Sequence, residues 1–583
     1  MIHAIAPFVL SRAKAIWPVA VVAWLSWISI IVCIDPAGSY PQMPEGPGLT
    51  VDEIFNVEQG VYLVEQARAL GWLNLVPGTS QEAYRVENGY NPDHPPLGRW
   101  WLGVHHHFTR WLAPPFHPEG SIVTACARAG SATAFALTVL LIGSLATAWS
   151  GRSTGVLTAV SLVLMPRVYG HAHLASLETI TNLTCTASVL VVASWWSGPL
   201  PPTKRAATIA GIVLGLALLT KIQAVLIPIP VICWAFWRWR ARAAVPLGLW
   251  CATAFVVFLA SWPYLWFAPV DHLFEYLVRT TNRATLQVWY FGQKYADKDV
   301  PWHYPFVMFA LTVPAILHGL GLMGMLHVRA SRTDSSPNAA RDEIQIHPRS
   351  NGPQDVRSQK QRVSRKGFYE RDILLLMCML FPLVVFALPG VAVYDGERLF
   401  LTSFPLWAFF VGRGWLNLWE MLLRSVRSRW AATAACFVLL LIVASPLVTM
   451  APCHLCYYNG VTPILAGSYG AGAGLEVDYW GEGITRRLLR QLVESVPEGA
   501  TVAVMPTLHQ FQADEYRRQS PILRAHGAKL VEYRQESKSQ KYILVYRRRA
   551  DLPEHWDLVK PDDTLGTTVL GGRQLAYFAR RAD

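Results

Sequence analysis

Charge is scarce in this chain: 15% of its 583 residues are Asp, Glu, Lys or Arg, against 52% hydrophobic. A soluble protein of this length carries nearer a quarter charged residues, so a wholly soluble class is excluded. No repeat of fixed period is visible, which speaks against a solenoid and against the related halves expected of a transporter. Cysteine forms no framework either. The nine Cys are scattered, mostly inside apolar runs where they behave as small hydrophobes. The one close pair, Cys453-His454-Leu455-Cys456, has no second pair to complete four zinc ligands. Tyr457 follows where a haem-attachment motif requires His. A local disulfide or two free thiols is what remains.

What the chain does have is long apolar runs. Segments such as 131–149 and 431–450 are uncharged and long enough to cross a hydrocarbon layer of roughly 30 Å. The 24 Trp fit interfacial aromatic belts, though core packing explains them equally. Spans are expected near 17–34, 122–149, 154–170, 176–197, 206–220, 222–237, 244–267, 305–328, 372–391, 399–420 and 430–450, about eleven in all. The formal net charge of +12 does not indicate nucleic acid as a partner, because most Lys and Arg cluster between apolar runs. With the N-terminus in the cytoplasm, Arg152, Lys204-Arg205, Arg238-Arg240-Arg242, the 329–371 stretch and Arg424-Arg427-Arg429 all fall inside. This works only if 206–237 is a hairpin split at Lys221. The same parity puts 35–121, 268–304, 392–398 and everything beyond 450 on the outer face.

Two domains are therefore expected. Residues 1–450 form a transmembrane domain, with 35–121 as its first outer loop and 329–371 as a disordered cytoplasmic linker. Residues 451–583 form a small outer α/β domain, with strands at 501–505, 528–533 and 542–547, a helix at 484–495 and a hairpin turning at Gly571-Gly572.

Ionisable groups at membrane depth are costly and so are functional candidates, and here they gather on the outer side. Asp52-Glu53 lies in the first outer loop, followed by His94-Pro95-Pro96-Leu97-Gly98-Arg99. Arg128 enters the second span, Glu178 sits near the outer end of the fourth and Lys221 at a hairpin tip. Tyr394-Asp395-Gly396-Glu397-Arg398 fills a late outer turn. Taken singly, each has a plainer explanation. Asp52-Glu53 can be a solvated helix start, and Arg128 or Lys221 can snorkel to head groups. Glu178, in an apolar run, needs a partner.

In this order the motifs resemble the C superfamily of glycosyltransferases (GT-C), in the branch of protein O-mannosyltransferases and the bacterial aminoarabinose transferase. Asp52-Glu53 matches the DE pair of the mannosyltransferases, and His94 to Arg99 matches their HPPxGK with Arg in place of Lys. Glu178 stands where the family usually has Asp, and 215–221 (GLALLTK) matches a recurrent stretch. Tyr457-Tyr458-Asn459 and Tyr479-Trp480-Gly481 are similar to the outer domain of bacterial members.

The resemblance implies an all-α polytopic membrane bundle of GT-C type with a small C-terminal outer α/β domain. It implies a polyprenyl-phosphate-sugar donor in the bilayer, and a protein, lipid or glycan acceptor attacking with inversion. Asp52 or Glu53 would be the general base. His94, Arg99, Arg128, Lys221 and Arg398 are the candidates for the donor phosphate. Glu178 would orient a cation or share a divalent metal with Asp52. Tyr457, Tyr458, Tyr479 and Trp480 would meet the acceptor or dock the outer domain. The expected location is the plasma (inner) membrane. The alternatives are an oligosaccharide ligase or polymerase with a diphosphate-linked donor, and a lipid or sugar transporter.

Overall fold

A computed structural model of the chain describes residues 2–281, 284–333, 353–462, 474–506, 509–534, 540–552 and 564–581. The N-terminal part is helical. Helix α1 (Ile2–Ile31) precedes the first long loop, which holds α2 (Val51–Leu70), α3 (Pro77–Ala83) and α4 (Pro96–Leu112). Next come α5 (Thr124–Ser150), α6 (Arg152–Val163), α7 (Pro166–His171), α8 (Leu177–Trp195) and α9 (Lys204–Leu218). They are followed by α10 (Pro228–Trp239), α11 (Ala244–Ala260) and α12 (Pro269–Thr281). A hairpin of β1 (Gln287–Tyr290) and β2 (Gln293–Ala296) leads to α13 (Tyr304–Thr312), α14 (Ala315–Thr333), α15 (Pro353–Phe386), α16 (Ser403–Val426) and α17 (Arg429–Thr449).

Every expected span contains a helix, and fewer than eleven of these helices meet a strict test of length and apolarity. Among the described residues five stretches are long and apolar enough to cross a membrane, within 14–31, 124–150, 177–195, 222–260 and 429–449. The pair α13 and α14 qualifies only together, bent by 104°. Helix α6, of 12 residues, rises about 18 Å, short of the roughly 30 Å core, whereas α10 belongs to the longer stretch 222–260. The hairpin at Lys221 is present: α9 stops at Leu218, and Lys221 is extended before a short 3₁₀ turn over Ile222–Leu226. Helix α15 starts at Pro353, inside the stretch expected to be linker, while 334–352 lies outside the described residues. The basic 353–371 segment extends α15 beyond its apolar half because Gln, Lys and Arg favour helix.

The C-terminal domain is built on a five-stranded sheet, β3 (Thr501–Met505), β4 (Lys529–Glu532), β5 (Tyr542–Tyr546), β6 (Thr564–Leu570) and β7 (Arg573–Arg580), ordered β4-β3-β5-β7-β6. Strand β3 runs parallel to β4 and β5, and β7 runs antiparallel to β5 and β6. Helices α18 (Arg486–Ser495), α19 (Gln510–Gln519) and α20 (Pro521–His526) complete it. Gly571 and Gly572, both at positive φ, make the hairpin turn. The domain's core includes Ala37 and Leu49 of the first long loop beside Leu488, Leu489, Val504 and Phe578. Arg486 Nη1 reaches Asp35 Oδ2 at 2.9 Å, and Asp35 in turn accepts backbone N–H groups of residues 37–40. Loop and domain therefore pack as one unit across the boundary expected at 450.

Candidate active site

Two glycines set the approach of the first-loop helices. A Cβ on Gly60 of α2 would lie 2.4 Å from the Arg99 carbonyl oxygen, and one on Gly103 of α4 would lie 2.0 Å from that of Gly60. Only hydrogen fits at this crossing. A third glycine, Gly98, seats the start of α4 against Leu177 (2.8 Å to a Cβ built there) and Thr220 (3.4 Å). The Leu97 N–H also donates to the Leu219 carbonyl at 3.0 Å. The HPPLGR segment thus clamps the start of α8 to the end of α9, which are the neighbours of Glu178 and Lys221.

Those two residues form a buried pair, Lys221 Nζ to Glu178 Oε1 at 2.6 Å. The same oxygen takes Arg398 Nε at 3.1 Å. Arg398 Nη1 meets Asp395 Oδ2 at 2.9 Å, and Nη2 donates to Asp52 Oδ2. One guanidinium therefore ties together carboxylates from α2, α8 and its own turn. Asp52 and Glu178 occupy the first turns of their helices, where the macrodipole favours an anion. Asp395 and Gly396 are both left-handed, at φ 54 and 68. Asp tolerates that conformation better than most residues, and it folds Asp395 back onto Arg398. Burial works against the Arg398 charge, but Asp52 and Glu178 outweigh it and hold the guanidinium protonated well above its usual range. His94 lies half-buried beside this cluster. Burial first, then Arg99 and Lys221, push its imidazole well below the ordinary histidine range.

The remaining expected residues divide from this cluster. Glu53 belongs to a separate pair with Arg128, both wholly buried: Arg128 Nε and Nη2 each donate at 2.7 Å. Glu53 also accepts the Ala175 N–H at 2.6 Å and the Thr50 N–H at 2.9 Å. Arg128 further donates to the carbonyls of Ile34, Pro47 and Gly48. Both residues are saturated by protein, which suits them to fixing the first loop rather than to turnover. Arg99 is buried, donating to the Asn91 carbonyl. Tyr457, Tyr458, Tyr479 and Trp480 are all buried between the helical bundle and the C-terminal domain, so in this arrangement they dock rather than present a sugar-stacking surface. Cys453 and Cys456 are free thiols.

Arg398 also bridges Asp52 and Glu178, the two carboxylates expected to share a metal. Among the described residues no group of three His, Cys, Asp or Glu is placed to hold one. As arranged, these side chains fit a guanidinium, not a divalent ion.

Two further buried charges stand outside the expected set. Arg167 is fully buried with Nη1 at 2.6 Å from Glu397 Oε2 and its guanidinium 4.2 Å from the Tyr458 ring centroid. A charge beside the apolar run 154–164 is the same signal that marked Glu178. Arg548 of the C-terminal domain is the second. It lies in the run Arg547-Arg548-Arg549, which reads as solvated surface, yet it is buried.

Residues 60–273 match the family described as dolichyl-phosphate-mannose-protein mannosyltransferase. The matched stretch spans His94, Arg99, Arg128, Glu178 and Lys221 and excludes Asp52 and Arg398. No curated protein matches the chain. Among solved structures, ArnT from Cupriavidus metallidurans bound to undecaprenyl phosphate aligns at 12% identity and TM-score 0.45, over 97% of this chain and 98% of that one. The archaeal oligosaccharyltransferase AglB from Archaeoglobus fulgidus, in complex with an inhibitory peptide and a dolichol-phosphate, aligns at 12% identity and TM-score 0.39, over 92% and 70%.

Proposed function

We propose that this chain is a membrane glycosyltransferase that moves a hexose or pentose from a polyprenyl-phosphate donor to an acceptor hydroxyl on the outer face, with inversion. The observation that carries this reading is the unequal exposure of the three carboxylates on Arg398. Asp52 is 29% exposed, against 2% for Glu178 and 5% for Asp395. Asp52 is thus the one that an acceptor can reach, and it acts as the general base. The acceptor oxygen attacks the anomeric carbon, the bond from that carbon to the phosphate oxygen breaks, and the acceptor proton passes to Asp52. The leaving phosphate gains charge as this happens. Lys221 spends one of its three N–H donors on Glu178, and each Nη of Arg398 makes one contact, so N–H groups remain for that anion.

The test is to purify the protein in lipid nanodiscs, identify the co-purifying lipid by mass spectrometry and measure sugar transfer from it. The expected lipid is a polyprenyl monophosphate sugar, consumed by the native protein and retained unconsumed by Asp52→Asn. A diphosphate-linked glycan would favour the ligase reading, and transport of intact lipid without cleavage would overturn both.

A further inference from the structure

Arg398 is not held by the membrane domain alone. The carboxylate that grips its Nη1, Asp395, is also gripped from the outer domain. Arg548 Nη2 lies 3.3 Å from Asp395 Oδ1, and Trp480 Nε1 donates to Asp395 Oδ2 at 3.2 Å. The Trp480 ring carries the Arg398 guanidinium above it, 4.6 Å from the centroid. Arg548 is itself fixed by Asp551 Oδ2 at 2.5 Å and by donation to the Tyr479 carbonyl.

We infer that Arg548, with Trp480, is a positioning residue that holds Arg398 in register with Asp52 and Glu178, so that the C-terminal domain completes the catalytic cluster. This rests on the function proposed above for what the cluster does, but not for where Arg398 points. The physical reason is charge sharing. Without Arg548, Asp395 is left with a single cationic partner three residues away, and Arg398 shares the three carboxylates only with Lys221, which lies on Glu178. The shortest-tethered of these, Asp395, then draws the guanidinium towards its own turn and off Asp52. With Arg548 present, Asp395 divides its charge between two guanidinium groups, and Arg398 spans the gap between helices α2 and α8. Trp480 closes the opposite side through its ring face. An outer domain concerned only with acceptor capture has no need of these two contacts.

The test uses the full-length protein in nanodiscs and three variants, Arg548→Ala, Arg548→Lys and Trp480→Phe, each checked for folding by its elution and thermal transition. Two readouts are taken. The first is the position of the Arg398 side chain by electron cryomicroscopy, which needs no activity. In Arg548→Ala, Arg398 should part from Asp52, and Arg548→Lys should restore the contact. The second is sugar transfer from the co-purified donor. It should fall about 10- to 100-fold in kcat in Arg548→Ala, the scale for misplacing a group by about 1 Å, with donor KM changed less and with partial recovery in Arg548→Lys. Trp480→Phe keeps the ring and loses the N–H, so it should show a smaller loss in the same direction even if Arg548→Ala does not fold. A folded Arg548→Ala or Trp480→Phe protein with Arg398 still on Asp52 and Glu178 would overturn the inference. If the native protein transfers no sugar, the proposed function fails while the side-chain position still decides this point.

Discussion

Asp52 and Glu53, adjacent in the chain, are bound by different arginines: Asp52 by Arg398 and Glu53 by Arg128. One peptide bond separates an accessible carboxylate from a sealed one, and substitutions should separate them too. Asp52→Asn should fold normally and lose about 10²- to 10⁴-fold in transfer rate, the range for a lost general base. Glu53→Gln leaves Arg128 buried without its counter-charge, a change that typically costs about 3–5 kcal/mol of stability. Thermal unfolding and single-turnover rates on both variants check this. Equal stability with equal loss of rate would return Glu53 to the chemistry.

Arg398 stands where a metal shared by Asp52 and Glu178 would have to sit. Chelation with EDTA should therefore leave transfer intact. Arg398→Lys should lower it about tenfold or more, because a single ammonium cannot reproduce three directed N–H bonds. Abolition by chelator and recovery with Mn²⁺ or Mg²⁺ would show that the ion displaces the arginine.

Orientation follows from the basic clusters. Cysteines introduced at Glu119 and Asp514, both exposed, should react with an impermeant maleimide in intact cells. One at Ser425, beside Arg424 and Arg427, should react only after permeabilisation. Labelling of position 425 from outside would invert the assignment on which the outer active site depends.

The fold and the site were legible in the sequence to different depths. Each expected span holds a helix because apolar length is a local property, and the break at Lys221 shows for the same reason. The number of full crossings does not, since a helix such as α6 looks like a span in composition but has 12 residues. Glu178 and Lys221 could be selected by their burial cost, yet nothing local pairs them across 43 residues. The contact of Asp52 with Arg398 spans 346 residues and exists only because α2, α8 and a late turn converge. Arg548 was hidden for the opposite reason: an arginine triplet on an apparently solvated strand end gives no local sign of burial.

Acid should loosen the joint between bundle and outer domain. His173 and His454 are stacked, with ring centroids 5.4 Å apart. Burial, with His454 adding to it at His173, depresses His173 to about 3 and His454 to about 4. In the unfolded chain both bind protons near 6.5. Their contribution to stability is therefore complete above about pH 6.5 and is lost as pH falls towards 4 and then 3. The thermal midpoint should drop over that window, and His454→Gln, which can still donate to the Leu447 carbonyl, should flatten the drop. An unchanged slope in that variant would place the acid sensitivity elsewhere.

The glycine crossing of α2 and α4 should tolerate no side chain. Gly60→Ala forces a methyl group against the Arg99 carbonyl at 2.4 Å. Overpacking of this kind typically costs about 1–3 kcal/mol, here with displacement of the helix that carries Asp52. Both the thermal midpoint and the transfer rate should fall. Loss of stability with full activity would mean that the cluster moves as a body.

In the proposed reaction, the contact between Asp52 and Arg398 makes the base and the anion site exchange partners. While Asp52 is ionised, it occupies one arm of the guanidinium. Once the acceptor proton neutralises it, that arm loses its counter-charge at the moment when negative charge appears on the departing phosphate. The positive charge need not travel to meet it. It is handed over within the fork, from the oxygen that has just taken the proton to the one that has just lost its bond to carbon. A resting cluster closed on itself in this way offers little net attraction to a stray anion, and offers the most to the anion that the reaction itself creates.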